Sequence, residues 1–178
     1  PTRRSSDLDD LAIQHFGAQR YLWAGVAAVG NDPGKGCFRW LLTGGEENPE
    51  GWRAYRSGWD AGGCRALAFQ GSKVLAGSLR FGVLRLDVAE REPQWQAPDI
   101  NCKLPLRDRH SLQPVDVVAT DSSGERLLAA GVEGVYRSID QGKQYEHVSN
   151  SEFPEVVTLP ETWLFCSGEH DINVVSED

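Results

Sequence analysis

Four short segments, each of apolar or small residues ending in glycine, recur along the chain: Leu22-Trp-Ala-Gly25, Val74-Leu-Ala-Gly77, Leu128-Ala-Ala-Gly131 and Phe165-Cys-Ser-Gly168. Their glycines are 52, 54 and 37 residues apart. A Gly-x-apolar-Arg unit follows three of them, at Gly36-Cys-Phe-Arg39, Gly82-Val-Leu-Arg85 and Gly134-Val-Tyr-Arg137. An aromatic residue comes 11 to 16 residues after each of those second glycines, at Trp52, Trp95 and Tyr145. Ahead of each first unit stands another apolar stretch: Leu11 to Ile13, Arg65 to Phe69, Val115 to Ala119 and Val156 to Leu159. A repeat of this period constrains the fold more than any single motif, because each copy is one supersecondary unit that needs its neighbours to cover it.

The stretches read as strands. Val115, Val117 and Ala119 alternate with Asp116 and Thr120, and Leu84, Leu86 and Val88 with Arg85 and Asp87, the period of two that puts successive side chains on opposite faces. Turn chemistry separates them at Asn31-Asp-Pro-Gly34, Asp121-Ser-Ser-Gly124 and Asp140-Gln-Gly142. Each unit is therefore expected to be a four-stranded antiparallel meander. Sheets of this size, apolar on both faces, are satisfied by stacking around a central channel. The expectation is an all-β chain, a β-propeller of about three and three-quarter four-stranded antiparallel blades that forms part of a larger propeller. The blades are placed at residues 11–60, 64–98, 114–150 and 155–178, with 99–114 a long inter-blade loop crossing one rim. At the start, Ser6-x-x-Asp9 ahead of Leu11 offers a helix cap, but a strand from Leu11 to Phe16 keeps the repeat intact and is preferred.

Among 178 residues, 19 glycines and 9 prolines suit short strands and exclude a bundle of long helices. A net charge of −8 argues against a surface that tracks nucleic-acid phosphates. No apolar run approaches the ~18 residues of a membrane span, and no apolar segment follows Arg3 and Arg4, so a cytoplasmic location is expected. Cys37, Cys64, Cys102 and Cys166 lack zinc-site spacing. They are expected to be buried thiols, with three pairings open if the chain is oxidised.

Ser138-Ile-Asp140-Gln-Gly142-Lys-Gln-Tyr145 resembles the Asp box, S-x-D-x-G-x-x-W, of bacterial-neuraminidase-type repeats, with Tyr145 where that family has Trp. Gly131 to Arg137 resembles the strand pair that leads into such a box. Reduced versions stand at Asp87 with Trp95, at Trp40 with Trp52, and at Ser176-Glu-Asp178. The resemblance implies a sialidase-like propeller in which the box is a structural turn. It implies structural roles for Ser138, Asp140, Gly142 and Tyr145, and makes Gly25, Gly77, Gly131, Gly168, Arg39, Arg85, Arg137, Trp52 and Trp95 repeat positions.

Catalytic groups are hard to find. A sialidase-like site needs clustered arginines and a tyrosine nucleophile, yet Arg39, Arg85 and Arg137 recur once per unit, as structural positions do. Tyr21, Tyr55, Tyr136 and Tyr145 show no distinctive pairing with an acid. Glu46, Glu47 and Glu50 fall in a Gly- and Pro-rich hairpin, and Glu169-His170-Asp171 on a turn where adjacent side chains cannot converge on one metal ion. Gly30 to Gly36 lacks phosphate-loop spacing. Trp40, Trp59 and Trp163 are the tryptophans left for a sugar platform. No catalytic residue, cofactor or metal is assigned. The expected function is a non-catalytic interaction or assembly module whose partners are other protein chains or further blades, by analogy a structural part of a large complex such as a phage-tail-like injection machine. The alternative is a sialidase-like glycoside hydrolase or sugar-binding propeller.

Overall fold

The computed structural model describes residues 8–42, 51–121, 123–149, 155–159, 162–167 and 171–176, and every regular element within them is a β-strand. The first sheet is a meander of β1 (Leu8–Phe16), β2 (Gln19–Val26), β3 (Cys37–Leu41) and β4 (Arg53–Tyr55). The second holds β5 (Cys64–Gln70), β6 (Lys73–Ser78) and β7 (Val83–Asp87). The third holds β8 (Val117–Thr120), β9 (Leu127–Gly131), β10 (Gly134–Ser138) and β11 (Glu146–Ser149), and the fourth β12 (Glu155–Leu159), β13 (Thr162–Ser167) and β14 (Asp171–Ser176). All neighbours pair antiparallel. The N-terminal alternative resolves as strand, beginning at Leu8 rather than Leu11.

The second sheet departs from four full strands. Its fourth place is a single bridge, in which Gln96 exchanges both backbone hydrogen bonds with Arg85. Pro93 and Pro98 flank it, and a residue without an N–H cannot extend a ladder.

Register shows what repeats. Ala12, Trp23 and Arg39 lie side by side across the first sheet, Ala68, Leu75 and Arg85 across the second, and Ala119, Leu128 and Arg137 across the third. Two residues along, Gly25 and Gly77 correspond, and the third sheet has Ala130 there: Gly25 pairs with Cys37, Gly77 with Val83 and Ala130 with Val135. Gly131 sits one residue further, at the place of Val26 and Ser78. Gly168 lies outside the described residues.

The first strands of the sheets stack in chain order, β1 on β5, β5 on β8 and β8 on β12, with no comparable packing of β12 on β1 among the described residues. Between the first and second sheets, Trp23, Cys37, Tyr55, Cys64, Val74 and Leu84 form one core. The buried side chain of Gln14 is satisfied there: it accepts from Trp23 Nε1 (2.9 Å) and donates to the Gly71 carbonyl (2.7 Å). A second core joins the second and third sheets, and residues 99–114 contribute Cys102, Leu104 and Leu112 to it. The expected rim loop is thus partly core: its apolar residues fill the junction, and its Cys102 carbonyl accepts from the Tyr145 N–H at 2.8 Å.

Candidate functional site

The turn after β10 is built from its own side chains. Ser138 Oγ donates to Asp140 Oδ1 (2.7 Å) and accepts from the Gly142 N–H (2.9 Å). Asp140 Oδ1 also accepts from the N–H groups of Lys143 (3.0 Å) and Gln144 (2.9 Å). Burial pushes the Asp140 carboxyl up, but the bonds from Gln144, Ser138 and Lys143, with the Lys143 charge, outweigh it and hold the group below the usual carboxylate range. Gly142 turns the chain at φ 79°, a left-handed conformation that favours glycine. The turn delivers Tyr145 into the junction of the second and third sheets, where its ring is buried and its hydroxyl has no hydrogen-bond partner among the described residues.

Trp95 occupies the same place one sheet earlier, the residue before the fourth strand, with Nε1 donating to the Tyr55 carbonyl (3.1 Å) and its ring edge-on to Trp59 (5.1 Å). Trp52, before β4, is 47% exposed and touches Trp40 with ring centres 5.6 Å apart. The three arginines do not converge. Arg39 lies over the Tyr21 ring at 4.1 Å, Arg85 donates to the Gln141 carbonyl (2.7 Å) in the turn between β10 and β11, and Arg137 pairs with Glu146.

Among the described residues, the other face of the first sheet has no sheet packed on it. Leu11, Ala24 and Phe38 form one cross-strand row, and Ile13, Leu22 and Trp40 the next, with Trp52 against Trp40. The same rows in the second sheet are Leu67, Ala76, Leu84 and Phe69, Val74, Leu86; in the third they are Val118, Ala129, Tyr136 and Thr120, Leu127, Ser138. There the preceding sheet buries most of them: Val74 and Leu84 are 0% exposed and Leu127 is 1% exposed, while Phe69, Thr120 and Tyr136 are half-buried. In the first sheet Leu11 is 55% and Ile13 is 53% exposed. The face has interior chemistry without an interior position. No side chain in these two rows is charged; His15 and Arg20 form the next row of the same face, and Arg56 lies over the Phe38 ring at 5.1 Å. Sequence reasoning placed Leu11 and Ile13 in the first strand and Phe38 in a Gly-x-apolar-Arg unit without marking them as one surface; the alternation of Leu11 and Ile13 with Ala12 and Gln14 was the available signal.

Elsewhere a cavity of about 210 Å³ opens between the second and third sheets, lined by Lys73, Arg85, Asp87, Glu90, Gln96 and Gln141 among others. It is smaller than the ~300 Å³ and upward of typical small-molecule sites, and Arg85 and Asp87 are engaged in backbone hydrogen bonds. Among the described residues no group of three His, Cys, Asp or Glu is placed to hold a metal ion. Glu46, Glu47, Glu50, Glu169 and His170 lie outside the described residues.

No protein-family model matches the sequence, and no curated protein matches it. Solved structures do align along it. The β-propeller domain of Myceliophteria thermophila Cps50 (Swd1) is 13% identical with a TM-score of 0.63, over 99% of this chain and 54% of that one. The GH74 xyloglucanase of Xanthomonas campestris is 16% identical with a TM-score of 0.59, over 91% of this chain and 27% of that one. A chain of the COPII outer coat vertex on membranes is 11% identical with a TM-score of 0.58, over 96% of this chain and 48% of that one. This chain therefore spans about half the length of the Swd1 domain and the coat chain, and about a quarter of the xyloglucanase. At these identities the likeness is one of fold, and that fold is the β-propeller.

Proposed function

We propose that the chain is a non-catalytic propeller module of the Asp-box kind, which assembles by packing the uncovered face of its first sheet against a further β-sheet of the same pattern. The carrying observation is that this face holds apolar residues at positions most of which are buried between sheets one and two repeats later. Covering a half-exposed Leu11, Ile13 or Trp52 contributes roughly 1 kcal/mol each toward that contact. The likeness to a coat-vertex chain is in keeping with an assembly role. The competing reading, a carbohydrate-active or sugar-binding propeller, draws on the likeness to a xyloglucanase and on the exposed Trp52; but Trp40 and Trp52 are inclined at 57°, which favours interlocking with a sheet over a flat platform for a sugar ring.

Sedimentation of the 178-residue chain tests this. Self-association at tens of micromolar that Ile13→Lys and Leu11→Lys abolish, with unchanged circular dichroism, is the expected result. A wild-type chain that stays monomeric, or that releases sugar from a panel of glycosides, overturns it.

A further inference from the structure

Cys37 opens β3 and Cys64 opens β5, so they belong to different sheets and are 27 residues apart in sequence, yet their sulfur atoms lie 3.2 Å apart. Both side chains are 0% exposed. The approach depends on Gly25, the cross-strand partner of Cys37: a Cβ at that position would sit 2.9 Å from Cys64 Sγ and 2.7 Å from its carbonyl oxygen. The next junction gives the comparison. There Gly77 approaches the Val115 carbonyl as Gly25 approaches that of Cys64, and Val83 takes the place of Cys37. A valine pair fills this architectural position once, so two sulfurs are not required for volume. Cys102 lies in the other core, between the second and third sheets.

The geometry points to Cys37 and Cys64 as a disulfide site that staples the first sheet to the second when the chain folds in the presence of a low-molecular-weight disulfide such as oxidised glutathione. One cysteine thiolate attacks the glutathione disulfide, breaking its S–S bond and releasing one glutathione thiol, which leaves a mixed disulfide. The second cysteine thiolate then attacks the protein sulfur of that mixed disulfide and expels the second glutathione. The two protein thiols are oxidised, the two electrons reside on two glutathione thiols, and those thiols carry the two protons. The sulfurs need to close by about 1.2 Å to reach the ~2.05 Å bond length. In the folded chain the hydrogen bond from Cys37 and burial push the Cys64 thiol well up, which leaves little thiolate. The bridge is therefore set during folding and resists reductant afterwards. In a reducing compartment the same pair stays as thiols.

The test refolds the chain in a glutathione redox buffer, quenches with acid, denatures and alkylates. The expected result is a fall from four alkylatable thiols to two, a mass lower by two hydrogens, and a proteolytic product linking the Cys37 and Cys64 peptides. The double variant Cys37→Val, Cys64→Val copies the next junction, and it should fold and keep its two remaining thiols alkylatable in the same buffer. A linked product joining any other two cysteines, or four alkylatable thiols in a chain refolded to native circular dichroism, overturns the assignment.

Discussion

Tyr145 separates two contributions that a single side chain usually confounds. Its ring is 2% exposed between the second and third sheets. Its hydroxyl is equally buried and has no partner among the described residues, and a Cβ at Gly142 would lie 2.8 Å from it. An unsatisfied buried hydroxyl costs about 1–3 kcal/mol, so Tyr145→Phe should stabilise the chain by about 1 kcal/mol. With a urea slope of roughly 2 kcal/mol/M, the midpoint moves up by about 0.5 M with the slope unchanged. Tyr145→Ala should cost about 3–5 kcal/mol, since the ring leaves a cavity. The alkaline limb supplies an independent check. Burial raises the Tyr145 hydroxyl above its ordinary range, so above pH ~10 the unfolded chain loses a proton that the folded chain keeps. Stability then falls with rising pH by up to about 1.4 kcal/mol per unit, and the phenylalanine variant should lack that component. A Tyr145→Phe chain that loses more than 1 kcal/mol in urea would show that the hydroxyl is hydrogen-bonded, through an ordered water or otherwise, and the reasoning would fail.

Two further outcomes follow from close geometry and charge. Gly77→Ala puts a Cβ 2.6 Å from the Val115 carbonyl of the next sheet; because backbone must shift, a loss of about 2–4 kcal/mol is expected in chemical denaturation, and a neutral result would refute the sheet contact. Asp140 has a lowered folded-state pKa, so its stabilisation is present above the unfolded value of ~3.9 and is lost as pH falls through the folded value. Asp140→Asn should flatten that acid limb in thermal melts between pH 5 and about pH 2, while an unchanged limb would show that the hydrogen bonds from Gln144, Ser138 and Lys143 do not favour the charged form.

The alternation of apolar residues makes the strands legible because side chains switch faces every residue. The placement of Arg39, Arg85 and Arg137 follows from the same period: each comes three residues after its unit's glycine, at Gly36, Gly82 and Gly134, and each takes the same place opposite the second strand. Gly131 shows where that reasoning stops. Its resemblance to Gly25 and Gly77 is local, but equivalence in a sheet is decided by hydrogen-bonded register, and the first two sheets carry irregularities at Leu8/Asp10 and Cys64/Ala66 that a glycine count does not see. Residues 99–114 are similar: Cys102, Leu104 and Leu112 carry core chemistry in a stretch without strand period, and only the junction they fill reveals their role.

The amino-acid order alone determined the all-β character, the repeating meander and the turn that closes on Asp140, since all of these depend on neighbours within a few residues. Which faces are covered was decided by stacking. Leu11 and Leu67 are interchangeable as strand residues, and one is exposed while the other is buried because, among the described residues, only the second has a sheet packed over it. Stacking likewise brought Cys37 against Cys64 across 27 residues of intervening chain, a proximity that no spacing rule encodes, because contacts between sheets are set by how the sheets lie on one another.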